Sequence, residues 1–180
     1  MKIYLITDTH FNHKKMVEYC GRPENFDELI YKGLKEMQGC DLLIHLGDIC
    51  IGGDLETHYH LNGILKCKKI LVKGNHDKKS NQWYLDNGWN FVCNSFRDNL
   101  FGKDILFSHE PDITGNYDIN IHGHLHNNLP RLLRKEFVNE TEEERNIKFL
   151  YKLTDKNKLL AIENTNYKPI NLETFLTLSL

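Results

Sequence analysis

The stretch KIYLITDTH, Lys2 to His10, decides the fold. Ile3, Tyr4, Leu5 and Ile6 form a short apolar run that stops at Thr7-Asp8-Thr9-His10. Its length, its bulky residues and its polar end predict a β-strand. The same pattern recurs four times. DLLIHL runs into Gly47-Asp48, and KILV runs into Lys73-Gly74-Asn75-His76-Asp77. DILF runs into Ser108-His109, and INI runs into His122-Gly123-His124. Each strand-like run delivers Asp, Asn or His at its C-terminal end. In open α/β sheets that end is where ligands bind.

Helical patterns separate the first three runs. Asn25-x-x-Glu28 predicts a capping box, with Phe26, Leu29, Ile30, Leu34 and Met37 near a 3.6-residue period. Asp54 is expected to cap a second helix through about Lys66, with Leu55, Leu61 and Leu65 facing inward. Ser80 to Asn87 predicts a short third helix ended by Gly88. Arg97 to His109 predicts two strands joined near Gly102-Lys103. A further strand is expected over Leu159 to Thr165, and Leu172 to Leu178 fits a short helix or a strand.

Composition narrows the class. The 180 residues suit a single domain spanning 1–180, and 40% apolar content is that of a globular chain. A formal charge of −2 argues against a purely electrostatic nucleic-acid binder, but leaves room for a nucleic-acid substrate in a local site. No apolar run approaches the roughly 20 residues of a membrane helix, and the N-terminus lacks the form of a secretory signal. Five cysteines without a Cys-x-x-Cys pair read as reduced cytoplasmic thiols. The segment from about 130 to 158 is dense in charge and is expected to be a surface insertion, or a lid or dimerisation arm beside the site.

Taken singly, each polar residue has an ordinary explanation as a cap, turn or core group. Their joint order is Asp8-x-His10, Gly47-Asp48, Gly74-Asn75-His76-Asp77, His109 and Gly123-His124-x-His126. This order resembles the calcineurin-like metallophosphoesterase superfamily across residues 8 to 126. The runs ITDTHFNH, YCGRP, IHLGD and ENTNYKP look like a small prokaryotic and phage group within it. The resemblance implies a four-layer αββα sandwich of α/β (α+β) class, with two mixed β-sheets flanked by helices. It also implies two divalent metal ions, manganese first, with iron, zinc, nickel and cobalt as alternatives. Asp8, His10 and His126 would hold one ion, Asn75, His109 and His124 the other, and Asp48 would bridge them.

The chemistry supports that assignment independently. A phosphoester is anionic, and two close cations can clamp its oxygens and acidify a bridging water. Mixed nitrogen and oxygen ligands suit transition metals better than calcium or magnesium. The expected reaction is in-line attack of metal-bridging hydroxide on a phosphodiester, with a nucleotide among the candidate substrates. The alternatives are a phosphomonoesterase or nucleotidase, a nuclease, and a non-catalytic scaffold of the same fold. His76 is expected to contact phosphate and either protonate the leaving group or stabilise charge. Many relatives carry an Asp that orients this histidine where this chain has Ile51, so the task falls to Asp54, Asp77 or the backbone.

Asn12 and His13 are expected at the site mouth. Arg22 fits either a phosphate clamp or a surface salt bridge. His45 is expected in the core, His58 and His60 on a helix surface, and His122 beside the ligands as support or packing. Gly123 is expected to let the backbone leave the strand and turn.

Overall fold

The structure, a computed structural model, describes residues 1–127 and 152–178. Most of the charged segment expected near 130–158 lies outside the described residues. Two sheets face each other. In the first, β1 (Ile3–Ile6), β2 (Leu42–His45), β3 (Lys68–Val72) and β4 (Phe91–Cys93) are parallel neighbours. β9 (Ile170–Asn171) joins antiparallel to β1, giving the order β4-β3-β2-β1-β9. In the second, β5 (Ser95–Leu100) and β6 (Lys103–Ser108) form a hairpin, and β7 (Ile119–His122) and β8 (Asn157–Leu159) follow in parallel. These are the two mixed sheets, flanked by helices, that the sequence leads one to expect.

Strand alternation builds the core. Ile3 and Leu5 of β1 point between the sheets, where they meet Ile105 and Phe107 of β6 and Ile121 of β7. Ile6, on the other face, packs with Phe26, Ile30 and Leu34 of α2 (Phe26–Glu36) and Leu61 of α3 (Asp54–Ile64). Tyr84 of α4 (Asn81–Asp86) joins that outer layer. α1 (Met16–Cys20) adds Met16 to it. α5 (Leu172–Thr177) sets Leu172 and Phe175 into the layer between the sheets.

Several local expectations are corrected. Asn25 and Asp54 make no capping hydrogen bond through their side chains, and α3 begins after Gly53 in a left-handed conformation. Leu55 is turned to solvent rather than inward. Ser80 does cap α4, accepting from the Trp83 N–H at 3.1 Å. The β5–β6 turn is Phe101-Gly102, both at positive φ, the backbone a two-residue hairpin requires. The strand expected over Leu159–Thr165 is instead the end of β8 followed by a 3₁₀ turn over Ile162–Thr165. The candidate Leu172–Leu178 is helical, capped by Asn171.

The chain's C-terminal part is seated on α2 at Gly33. A Cβ there would stand 2.8 Å from the Tyr167 carbonyl oxygen and 3.0 Å from the Lys168 Cα. Ala exceeds Gly in helix propensity by about 1 kcal/mol, but overpacking against backbone costs about 1–3 kcal/mol. Gly33→Ala is therefore expected to lower stability in chemical denaturation. A gain in stability would show that the 167–168 segment yields freely.

Candidate metal centre

Parallel pairing places the ends of the strands together, and hydrogen bonds extend the pairing past them. The Asp8 N–H donates to the Gly47 carbonyl at 2.9 Å and the His10 N–H to the Asp48 carbonyl at 3.0 Å. In the second sheet the Gly123 N–H donates to the His109 carbonyl at 2.9 Å. Side-chain contacts join the sheets here. His109 Nδ1 donates to the Leu46 carbonyl at 2.7 Å, and the His124 N–H donates to the Asp8 carboxylate at 3.0 Å. The buried His45 pins the loops: it accepts the Gly47 N–H at Nδ1 and meets the Thr9 hydroxyl, itself a donor to the Ile49 carbonyl. Burial lowers its imidazole to about 3, so it stays neutral, the satisfied core histidine expected.

The local backbone is unusual. Asp8, His10, Asp48, His124 and His126 all have positive φ, between 46° and 68°. Left-handed conformations cost non-glycine residues energy and concentrate at functional sites. The chain leaves β7 at Gly123, as expected, but the left-handed residues of the turn are His124 and His126, not the glycine. Its requirement is space, since a Cβ would lie 2.2 Å from Thr7 Oγ1 and 2.4 Å from Asp8 Oδ2. Gly74 is constrained likewise, with the Asp48 carboxylate 2.1 Å from its Cβ position.

Two groups of lone pairs result. Asp8 Oδ2 accepts from the Thr7 hydroxyl at 2.6 Å and from the His124 N–H. That leaves Oδ1, buried with no hydrogen-bond partner, 3.8 Å from His10 Nε2 and 3.7 Å from His126 Nε2. Asp48 Oδ1 accepts the His76 N–H at 2.8 Å. Asp48 Oδ2 then stands 3.5 Å from His10 Nε2 and 3.4 Å from His109 Nε2, between the groups. His109 Nε2 lies 3.0 Å from Asn75 Oδ1 and 3.2 Å from His124 Nδ1, completing the second group. All seven sequence-predicted ligands are thus gathered at one place, where the strand ends of the two sheets meet.

This donor set fits cations. A buried oxygen without a hydrogen bond is expensive, and imidazoles aimed at carboxylate oxygens call for positive charge between them. Burial, with His126 next, lowers His10 well below its usual range, favouring the neutral ring that a metal needs. Burial opposes charge on His109 too, but the Asp48 carboxylate overrides it and raises that imidazole to about 9. Either a proton or a metal ion would answer the same demand. Asp8 with His10 and His126, and Asp8 with Asp48 and His109, are each close enough to share an ion.

The supporting residues depart further from expectation. Asp77 does not orient the His76 ring: its carboxylate accepts the N–H groups of Asp48 at 2.7 Å, Gly74 at 2.8 Å and Ile49 at 3.1 Å. The His76 ring stands at the mouth, centred 5.4 Å from His10, with His13 5.5 Å from His10 on the same rim. Asn12, expected at that mouth, gives its amide to the Gly52 carbonyl and Thr57 hydroxyl, bracing the start of α3. Arg22, expected as a phosphate clamp or a surface salt bridge, is ion-paired with Glu163 but buried rather than at the surface. At 2% exposure it donates to the Asp8 carbonyl at 2.7 Å, the Thr9 carbonyl at 3.0 Å and Glu163 Oε1 at 2.8 Å. His58, expected at the surface, is buried against Trp83, Tyr84 and Trp89, whereas His60 is exposed. His122 is fully buried beneath the ligands and held near 4 by that burial. Sequence reasoning missed Glu163; its only signal was the block ENTNYKP.

Residues 1–170 match the calcineurin-like phosphoesterase family, and the chain belongs to it. An uncharacterized protein of Methanocaldococcus jannaschii is 28% identical over 190 residues, covering 98% of this chain and 90% of that protein. A solved protein of unknown function from Aquifex aeolicus superposes with a TM-score of 0.65 at 25% identity, covering 99% of both chains. A solved archaeal phosphodiesterase aligns with 69% of this chain and 73% of its own, at a TM-score of 0.43 and 20% identity.

Asp77 supplies the acceptor for three loop N–H groups, and losing a buried acceptor costs about 1–3 kcal/mol. Asp77→Ala is expected to destabilise the metal-free protein by that amount in urea unfolding. A loss below about 0.5 kcal/mol, the usual range of neutral surface changes, would contradict the role.

Proposed function

Within the calcineurin-like phosphoesterases, we propose that this chain is a two-metal phosphodiesterase acting on a small or nucleotide-type diester. The observation that carries the proposal is Asp48 Oδ2, which faces His10 on one side and His109 on the other. One carboxylate oxygen shared by two donor groups is what a close pair of cations requires. Asp8, His10 and His126 would hold one, and Asn75, His109 and His124 the other. Manganese is the first candidate, since the donor set mixes imidazole nitrogen with carboxylate and amide oxygen. Such a pair, when bound, supplies charge neutralisation for phosphoryl oxygens and acidifies water.

The chain's own groups perform the rest. The His76 N–H fixes the bridging carboxylate through Oδ1, and its ring, 37% exposed, stands over Oδ2 at 4.0 Å. From there it can reach a phosphoryl or leaving-group oxygen and give it a proton or a hydrogen bond. A diester carries one negative charge where a monoester carries up to two. The mouth offers the imidazoles of His13 and His76, while the Arg22 guanidinium is spent on Glu163 and backbone carbonyls. That balance favours the diester. The five cysteines are all free, which suits the reducing cytoplasm.

With Mn²⁺, hydrolysis of bis(p-nitrophenyl) phosphate is expected to exceed that of p-nitrophenyl phosphate, to vanish with a chelator and to return with the metal. A strong preference for the monoester would overturn the diester assignment. His76→Ala is expected to retain metal binding while turnover falls by about 10² or more. Full activity in that variant would remove His76 from the reaction.

A further inference from the structure

Two blocks that the reaction does not use, CGRP near the start and ENTNYKP near the end, meet behind His126. Glu163 Oε1 accepts Arg22 Nε at 2.8 Å and lies 2.7 Å from Arg22 Nη2. The same oxygen is 3.4 Å from His126 Nδ1. Glu163 and Arg22 are 141 residues apart in sequence, yet both side chains are almost wholly buried. Arg22 also stacks on Phe26, 5.1 Å from the ring centre. The pair therefore sits in a preorganised setting.

The chemistry of an imidazole gives this contact a purpose. His126 Nε2 faces Asp8 Oδ1, where a cation would take its lone pair. A neutral ring ligating through Nε2 must carry its proton on Nδ1, and that proton needs an acceptor. Arg22 Nη2 also lies 3.4 Å from Nδ1 and donates to that nitrogen only when it is unprotonated; once Nε2 ligates and Nδ1 carries the proton, the guanidinium, which has no acceptor, cannot take it. Glu163 can. Cys20, His126 and Glu163 could themselves hold a cation by proximity. Arg22, 2.7 Å from Glu163, already places a fixed positive charge there, which disfavours an ion at that point.

We propose that Glu163, held by Arg22, is the positioning residue of His126: it fixes the Nδ1–H form and ring orientation that turn Nε2 toward Asp8. Arg22 carries the same brace to the backbone carbonyls of Asp8 and Thr9, so the C-terminal segment completes the first cation position. This inference rests on the two-metal reading and adds residues that the ligand motifs do not include.

The test is calorimetric titration of MnCl₂ into chelator-stripped, full-length protein. Wild type is expected to bind two equivalents. In Glu163→Ala, one equivalent is expected to weaken by about 10- to 100-fold while the other holds, the usual effect of losing a ligand's hydrogen-bond partner. Glu163→Gln keeps an acceptor oxygen and the shape, and is expected to recover part of that loss. If Glu163→Ala does not fold by circular dichroism, Glu163→Gln decides, with a weakening of one equivalent by about threefold or more expected, inside the span set by the alanine loss. Wild-type affinity for both equivalents in the folded variants would overturn the proposal, and so would equal weakening of both, which a merely structural role predicts. Fewer than two equivalents in wild type would instead remove the two-metal reading, and this inference with it.

Discussion

The structure turns on one carboxylate oxygen, Asp48 Oδ2, held within 3.5 Å of imidazole nitrogens from two directions. For that to happen, strands from two sheets must end within a few ångströms of each other. The first sheet brings Asp8, His10, Asp48 and Asn75, and the second brings His109, His124 and His126. Each sheet must be placed against the other before either donor group exists. The apolar layer between them, with Ile3, Leu5, Ile44, Phe107 and Ile121 buried, provides the placement.

The centre itself works against stability. It buries carboxylates and histidines, leaves Asp8 Oδ1 and both His10 nitrogens without hydrogen-bond partners, and holds five residues in left-handed backbone. Such features persist only where the surroundings over-determine them. Here the surroundings are named groups: Asp77 beneath the Asp48 loop, His45 and Thr9 between β1 and β2, and Arg22 with Glu163 under Asp8 and His126. The glycines answer a need for space, to which Gly47, at φ 98°, adds a backbone requirement of its own. Gly47, Gly74 and Gly123 each precede a proposed ligand, and each is packed so that a Cβ would strike the neighbouring loop.

Much of this was legible in the sequence because strands advertise themselves. Runs such as KIYLI and KILV alternate faces and stop at polar residues, so the positions of Asp8, His10 and Asn75 at strand ends followed directly. Long-range partners left no such mark. Arg22 looked like a surface or phosphate-binding residue because nothing local announces that Glu163 will neutralise it. His58 looked exposed because the aromatic residues that cover it, Trp83, Tyr84 and Trp89, come from beyond its own helix. Asn25 and Asp54 stood at capping positions by sequence, but their side chains made no capping bond, and a left-handed Gly53 began α3 instead.

In the proposed two-metal site, Asp48 would be the shared wall of two cation positions, with a different trio of ligands on each side. Anomalous diffraction from crystals grown with Mn²⁺ tests this most directly. Two peaks are predicted, about 3.5–4 Å apart, the separation typical of paired catalytic metals. One should lie among Asp8, His10 and His126, the other among Asn75, His109 and His124, with Asp48 touching both. A single peak, or a pair that Asp48 does not join, would contradict it.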